Sequence, residues 1–435
     1  MKSRRKLTRR EFLKRAGAIT AGVSFAPWLS PWGGAVAESL QGTGLSLPCA
    51  AGDVTADAAV IWLRADRASF VAVEYGKDPA MQNAVRNAPI KVSGHDDYTG
   101  KVFLRDLEPG STYYYRAMVS DKKPGPIAKF VTAPRVDQAM NVRFAFSGDT
   151  RQSYQPFTVM DAIREKKPEF FLHLGDTIYG DVEGTARNLS QFRAKYVNNR
   201  KDAPTQRLFS ETSLLVVWDD HEVADNYRAA NPLAPEGRRA FVDYWPVRQD
   251  PSDAQRIYRS ALWGSAAELF VLDTRQYRDE SAGTMLGARQ KEWFLDGLGS
   301  SNALFKFVCT SVPFSSPNAD KWGGYPADRD EVLKVIKQKR IAGVIFLSAD
   351  VHYAAVARVL GSPALREIIV GPLAAQMGRA TGAAKRFEYF NNQHLNYGLA
   401  SVHAEGAEPY VEIEILTDKN VLLHKIRIDA SVKDQ

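Results

Sequence analysis

Cysteine is nearly absent: Cys49 and Cys309 are the only two among 435 residues. A zinc site built from paired cysteines is excluded by count, and at most one disulfide can form. Whether the two pair or remain separate buried thiols depends on a distance in space that their separation in sequence does not give. Charge of one sign is also scarce once the start of the chain is set aside. Eight of the 57 basic residues but only one of the 50 acidic residues fall within positions 1–37, so the remainder carries 49 of each sign. The formal net charge of +7 therefore belongs to that start, and a nucleic-acid partner has no electrostatic motive elsewhere. Past the same segment no apolar run is long enough to suggest a transmembrane helix. What is present, 45% apolar and 25% charged residues, is globular composition with room for two or three domains.

Residues 1–37 read as an export signal. A basic stretch is followed by a weakly apolar run, 16–28, and by Ala35-Val36-Ala37 ahead of Glu38, a small-x-small cleavage site. Thr8-Arg9-Arg10-Glu11-Phe12-Leu13-Lys14 resembles the twin-arginine motif, an address read by a receptor and not a membrane anchor. The expectations are a cleaved leader, the twin-arginine export machinery as a partner, and a periplasmic or secreted mature protein without a transmembrane span.

From about residue 46 to 134, short β-type runs alternate with turn residues, at 59–63, 71–76, 101–104, 113–117 and 128–131. This spacing predicts a small antiparallel β-sandwich. The segment Leu107-Glu108-Pro109-Gly110-Ser111-Thr112-Tyr113 resembles a strand-turn-strand corner of fibronectin type III domains. After residue 135 the pattern changes, and 140–430 reads as an α/β catalytic domain. Apolar runs alternate with helix-like stretches, and five runs end in aspartate: 142–146 before Asp149, 170–174 before Asp176, 214–218 before Asp219-Asp220, 269–272 before Asp273, and 344–347 before Asp350. Open α/β sheets place their ligand sites at the carboxyl ends of strands. The last strands, 355–360, 366–370, 410–416 and 421–428, are expected to form the second sheet of a two-layer core. His173, inside an apolar run, reads as a buried core histidine.

Asp149, Asp176, Asp220, Asp350 and His352 are carboxylates and an imidazole gathered on strand ends, and their mutual repulsion is tolerable only with cations among them. Tyr179 follows Asp176 by one short turn, and a phenolate favours a hard trivalent ion. Two or more metal ions are the expected cofactors.

The ordered motifs Ser147-Gly148-Asp149, Gly175-Asp176-x-x-Tyr179, Trp218-Asp219-Asp220-His221-Glu222 and Ala349-Asp350-Val351-His352 resemble those of calcineurin-like metallophosphoesterases. Their form is that of PhoD-like alkaline phosphatases and phosphodiesterases. The resemblance extends through Leu272-Asp273-Thr274-Arg275-Gln276-Tyr277-Arg278 and Lys321-Trp322-Gly323-Gly324-Tyr325-Pro326. It implies a two-sheet αββα-type core behind an N-terminal fibronectin-like sandwich. It further implies a bridging Asp176, with Asp149, Tyr179 and His352 on a first metal, Fe3+, and Asp220 and Asp350 on a second. Asp220 stands where the wider superfamily has asparagine, and Asp350 where purple acid phosphatases have histidine, which favours Ca2+ or another hard divalent ion. The PhoD pattern has a cysteine near the first motif, where Asp149 stands here.

By the same resemblance His221 is the catalytic group that positions phosphate and protonates the leaving oxygen. Asn226, Trp322, Tyr325 and Arg329 are candidate substrate contacts. The implied activity is hydrolysis of phosphate esters by a metal-activated hydroxide, on a small-molecule or lipid substrate. Two rivals are a phospholipase-D-like phosphodiesterase on lipid or cell-wall diesters and a non-catalytic periplasmic binding protein with a vestigial site. Loss of ligands would mark the latter, and all six ligand positions carry ligating residues.

Overall fold

Strands covered on both faces read as continuous apolar runs. In the computed structural model, which describes residues 39–379 and 387–432, the runs of the catalytic region fall into two sheets. The first has nine strands, in the order Leu422–Asp429, Tyr410–Thr417, Asn396–His403, Val142–Ser147, Phe170–Leu174, Ser213–Val217, Leu45–Gly52, Ala59–Ala65 and Thr99–Leu104. The second has seven: Arg259–Trp263, Ala267–Val271, Phe305–Cys309, Val344–Ser348, Ser362–Ile369, Ala354–Val359 and Phe387–Asn391. The central strands of each sheet are parallel.

The sheets face each other across one apolar core. Phe144 and Phe146 of the first meet Phe305, Phe307 and Ile345 of the second, with Phe144 and Phe307 edge to face at 5.0 Å. Helices cover the outer faces. Thr158–Glu165 turns Val159, Met160, Ala162 and Ile163 inward, an apolar stripe at helical spacing. Ala203–Glu211 begins where the Asp202 side chain accepts the Thr205 N–H at 3.0 Å, with Pro204 in its first turn. Gly287–Ser300 and Pro326–Gln338 seal a second core, of Phe270, Phe294, Phe346 and Trp322, on the far side of the other sheet. This is the expected two-sheet αββα arrangement.

The N-terminal sandwich is present, but one of its layers belongs to the catalytic sheet. Strands Leu45–Gly52, Ala59–Ala65 and Thr99–Leu104 pack against a five-stranded sheet that includes Ser69–Gly76, Thr112–Val119 and Ala128–Val131. Leu45–Gly52 also runs parallel beside Ser213–Val217. Trp62, at 0% exposure, sits in the catalytic core and donates from Nε1 to the Asp243 carbonyl at 2.7 Å. The sandwich is therefore fused to the catalytic layer by sheet continuity and by one buried indole.

The C-terminal strands do not all join the second sheet as expected. Ala354–Val359 and Ser362–Ile369 do, whereas Tyr410–Thr417 and Leu422–Asp429 extend the first. The link is Asn396–His403, which pairs antiparallel with Val142–Ser147. At Gly398 an added Cβ would lie 2.2 Å from the Phe146 ring, so only glycine lets this strand lie there. Cys49 and Cys309 are free, buried thiols in different apolar clusters and do not pair. No helix among the described residues is long and apolar enough to cross a membrane. The expected leader, 1–37, lies outside the described residues.

Candidate metal centre

The four strand-end motifs converge at the carboxyl edge of the parallel strands. Asp149 follows Val142–Ser147, Asp176 follows Phe170–Leu174, Asp219 and Asp220 follow Ser213–Val217, and Asp350 follows Val344–Ser348. Glu222 ties two of these ends together. Its carboxylate accepts the Thr177 N–H and Oγ1–H, each at 2.6 Å, and the Asp219 N–H at 2.9 Å. Asp149, Asp176, Asp350 and His352 adopt left-handed backbone, with φ of 70°, 53°, 69° and 57°. Each such residue costs free energy, and sites of function are where such cost concentrates. Gly371 closes over the first of them, since a Cβ there would lie 2.4 Å from Asp149 Oδ2.

Among the described residues three groups of ligand atoms lie within 4.8 Å of one another: Asp149 with Asp176 and His352, Asp176 with Asp220 and His221, and Asp219 with Asp220 and Asp350. Asp176 belongs to the first two groups, the placement a bridging carboxylate requires. Both oxygens of Asp149, which is 1% exposed, and Oδ2 of Asp350 are buried without a hydrogen-bond partner. Burial, and then the neighbouring carboxylates, push Asp149 and Asp176 far above the usual carboxylate range. Burial likewise raises Asp350, to about 7. For Asp220 burial acts in the same direction, but Arg275, His221 and Lys321 outweigh it and hold the group at about 2. Buried, partnerless carboxylate oxygens fit cations, and this donor set of oxygen and imidazole is hard.

His352 offers a ligand atom beside this cluster. Its Nδ1 is 2.7 Å from the Gln376 carbonyl, which can only accept, so Nδ1 carries the proton and Nε2 keeps its lone pair. The Tyr179 hydroxyl meets that Nε2 at 2.9 Å, which brings the phenol to the Asp149 side of the cluster. Burial lowers the imidazole to about 4 and keeps it neutral. His221 is the opposite case. Its Nδ1 pairs with Asp181 Oδ1 at 2.8 Å, its ring stacks on Tyr179 at 4.1 Å, and its backbone N–H donates to Asp176 and Asp220. Burial opposes its charge, yet the Asp181 hydrogen bond prevails and raises it to about 9.

Asp176, Asp220, His221, Asn226, Asp350 and His352 line a cavity of about 950 Å3, with Asp149 and Tyr179 outside its lining. A second cavity of about 770 Å3, beside Arg259–Trp263, contains none of them. Asn226 is thus at the site, with φ 53° and its N–H on Asp220 Oδ2 at 2.6 Å. Trp322 and Tyr325 are not: both are buried, Trp322 against Phe314 with Nε1 on Thr310 Oγ1 at 3.0 Å, and Tyr325 beneath Arg278. Arg329 pairs with its neighbour Asp330 and does not line the cavity. His173 is 2% exposed with Nε2 3.3 Å from Thr150 Oγ1, a core histidine as expected.

Sequence reasoning missed Asp181, Asp219, Arg275, Asp320 and Lys321. Asp219 is clamped by Arg275, Nε to Oδ1 at 2.6 Å, and by Ser311 Oγ at 2.8 Å. The signals were there: an Asp-Asp doublet, an aspartate two residues past Tyr179, and cations within the Asp-Thr-Arg and Lys-Trp-Gly-Gly segments.

Comparison with known proteins agrees with this geometry. Residues 144–414 match the PhoD-like phosphatase family, and 33–134 match the PhoD-like phosphatase N-terminal domain. The chain is 28% identical over 418 residues to alkaline phosphatase D of Bacillus subtilis, covering 79% of this chain and 71% of that protein. It is similar to a solved structure of PhoD, with a TM-score of 0.77 at 22% identity over 89% of this chain and 90% of the other. A purple acid phosphatase from yellow lupin, Lupinus luteus, shares the fold, with a TM-score of 0.67 at 12% identity over 88% and 74% of the two chains. The chain, a two-sheet core with a hard carboxylate cluster at its strand ends, belongs to the PhoD-like phosphatase family and is a phosphoric ester hydrolase.

Proposed function

We propose that the enzyme is exported by the twin-arginine route, works outside the cytoplasm, and hydrolyses phosphate esters with two cations of different character. The observation that carries the two-cation reading is the shared use of Asp176 and Asp220 by adjacent ligand groups, with both oxygens of Asp149 buried and unpartnered. Asp149, Asp176, Tyr179 and His352 would hold the first ion, and their phenol and carboxylates favour Fe3+; Asp220 and Asp350, with Asp176, would hold a hard divalent ion such as Ca2+. When bound, such ions supply Lewis acidity to the phosphoryl oxygens and a water acidic enough to attack at neutral pH.

The remaining work falls to the chain. Asp181 fixes the His221 ring through Nδ1 and leaves Nε2–H for the ester oxygen that departs, so the leaving group takes its proton from Nε2. Asn226, on the cavity wall, would orient the phosphate. The test pairs elemental analysis with a panel of mono- and diesters. Iron and a divalent ion in comparable amounts, lost together with activity on chelation, support the reading; full activity in metal-free protein ends it. In the panel His221→Gln should slow alkyl phosphates on the order of a hundredfold more than nitrophenyl phosphates, whose leaving group needs no proton. Bis- against mono-nitrophenyl turnover separates phosphodiesterase from phosphatase preference. Export is tested by Arg9→Lys with Arg10→Lys, which should retain the protein in the cytoplasm.

A further inference from the structure

The two halves of the carboxylate cluster differ in the cations the chain itself brings to them. Among the described residues no lysine or arginine forms an ion pair with Asp149 or Asp176; His352 Nε2 lies 3.6 Å from Asp149 Oδ1. Asp219, Asp220, Asp320 and Asp350 instead surround Arg275, Arg278 and Lys321. Arg275 is fully buried. It holds Asp219 at 2.6 Å, reaches Asp320 at 3.3 Å, and lies 3.6 Å from Asp220 and 3.7 Å from Asp350. Arg278 pairs with Asp320 at 2.7 Å. Lys321 completes the set, with Nζ 3.0 Å from Asp320 and 2.5 Å from Asp350 Oδ1.

Lys321 differs from the two arginines in where it ends. It lines the same cavity as Asp220, His221 and His352, and it holds one oxygen of Asp350 while the other is unpartnered. Its backbone is fixed from below, because the next residue, Trp322, is locked in the core by Phe314 and Thr310. The ammonium is thus tethered at a carboxylate that a second metal ion would need.

We propose that Lys321 is a resident cation of the site that competes with a divalent ion for Asp350, so that the Asp220/Asp350 half binds metal more weakly than the Asp149/Asp176/His352 half. The inference rests on the metal-dependent reading given above. Its physical basis is that two cations sharing one buried carboxylate repel each other, and that removing one returns the whole attraction to the other.

The test uses the full chain, stripped of metal by chelation and titrated calorimetrically with Mn2+. Wild type should show a tighter and a weaker class of site. Lys321→Met should strengthen the weaker class at least about tenfold and leave the tighter class within about twofold. Lys321→Gln keeps hydrogen-bonding capacity toward Asp320 and Asp350 without the charge and should behave as the Met variant, while Lys321→Arg should match wild type. Melting curves establish that each variant is folded, and the Gln variant decides if the Met variant is not. A weaker class that is unchanged or weakened in both neutral variants overturns the proposal and makes Lys321 a structural clamp. Two equivalent sites in wild type overturn it as well. Wild type that binds no Mn2+ and needs none for ester hydrolysis would instead remove the metal-dependent reading, and the proposal with it.

Discussion

Asp149 and Asp273 each close an apolar strand, each is almost wholly buried, and each follows the same pattern of an apolar run ending in aspartate. Their surroundings differ completely. Asp273 accepts from Trp218 Nε1 at 3.0 Å, from the Arg275 and Gln276 backbone at 3.0 and 3.1 Å, and from Gln276 Nε2 at 2.6 Å. The Asp149 carboxylate accepts from no group, and the residue sits in left-handed backbone. A buried carboxylate with four donors is a structural knot, because the donors replace the water it lost. One without donors is a debt that a cation must cancel, and it remains in a fold because the cation is useful there.

The largest effect expected from this contrast is on turnover. Asp149→Ala should lower phosphoester hydrolysis on the order of a thousandfold or more and remove bound metal from the first ligand group, as elemental analysis beside wild type would record. Its fold should survive. In metal-free protein at neutral pH, Asp149→Asn should melt at or above wild type, since it removes a carboxylate whose ionised form burial disfavours. Normal metal content and activity in Asp149→Ala would place Asp149 with Asp273 and break the comparison.

Asp273→Ala should give the reverse pattern, a loss of stability of about 2–4 kcal/mol in denaturant titration, because an indole N–H and two backbone N–H groups are left buried without acceptors. Metal bound per folded molecule should stay as in wild type. A stability loss below about 1 kcal/mol would show that water replaces the carboxylate and that the knot is not one.

The pair also shows what was legible in the chain. The strands and their terminal aspartates could be read, because buried parallel strands leave unbroken apolar runs and the next residue must leave the sheet. Which aspartate meets donors and which meets none could not be read, since Asp273 is satisfied jointly by the distant Trp218 and by the turn Arg275-Gln276 that follows it, and the run that ends in Asp149 carries no mark of the difference. Aromatic candidates misled for a related reason. Trp322 and Tyr325 lie in a glycine-rich segment that reads as surface, yet the short helix Trp322–Gly324 turns Trp322 into the core and Lys321 toward the cavity. Phe387–Asn391 and Asn396–His403 were missed as strands, the first for its polar content and the second for Gly398, whose missing side chain makes room for Phe146.

Buried groups have a third way out besides donors and cations, which is to give up charge, and His173 supplies the smallest and cleanest test. It lies in Phe170–Leu174, just before Asp176, and burial lowers it to about 3 from an ordinary 6.5. The unfolded chain therefore takes up a proton below pH 6.5 that the folded chain refuses until about pH 3. Stability must rise with pH across that window, and this one group should cost about 2 kcal/mol at pH 5 relative to pH 7. His173→Gln cannot titrate, so whatever its stability at pH 7, its loss between pH 7 and pH 5 should be smaller than that of wild type by about this amount. Urea unfolding of metal-free protein at the two pH values measures it. The difference between the two slopes is the quantity of interest, because His352 and the carboxylates titrate alike in both proteins and cancel. Equal slopes would mean that His173 is protonated in the folded state near its ordinary pKa, and that this part of the core admits charge as readily as the site above it.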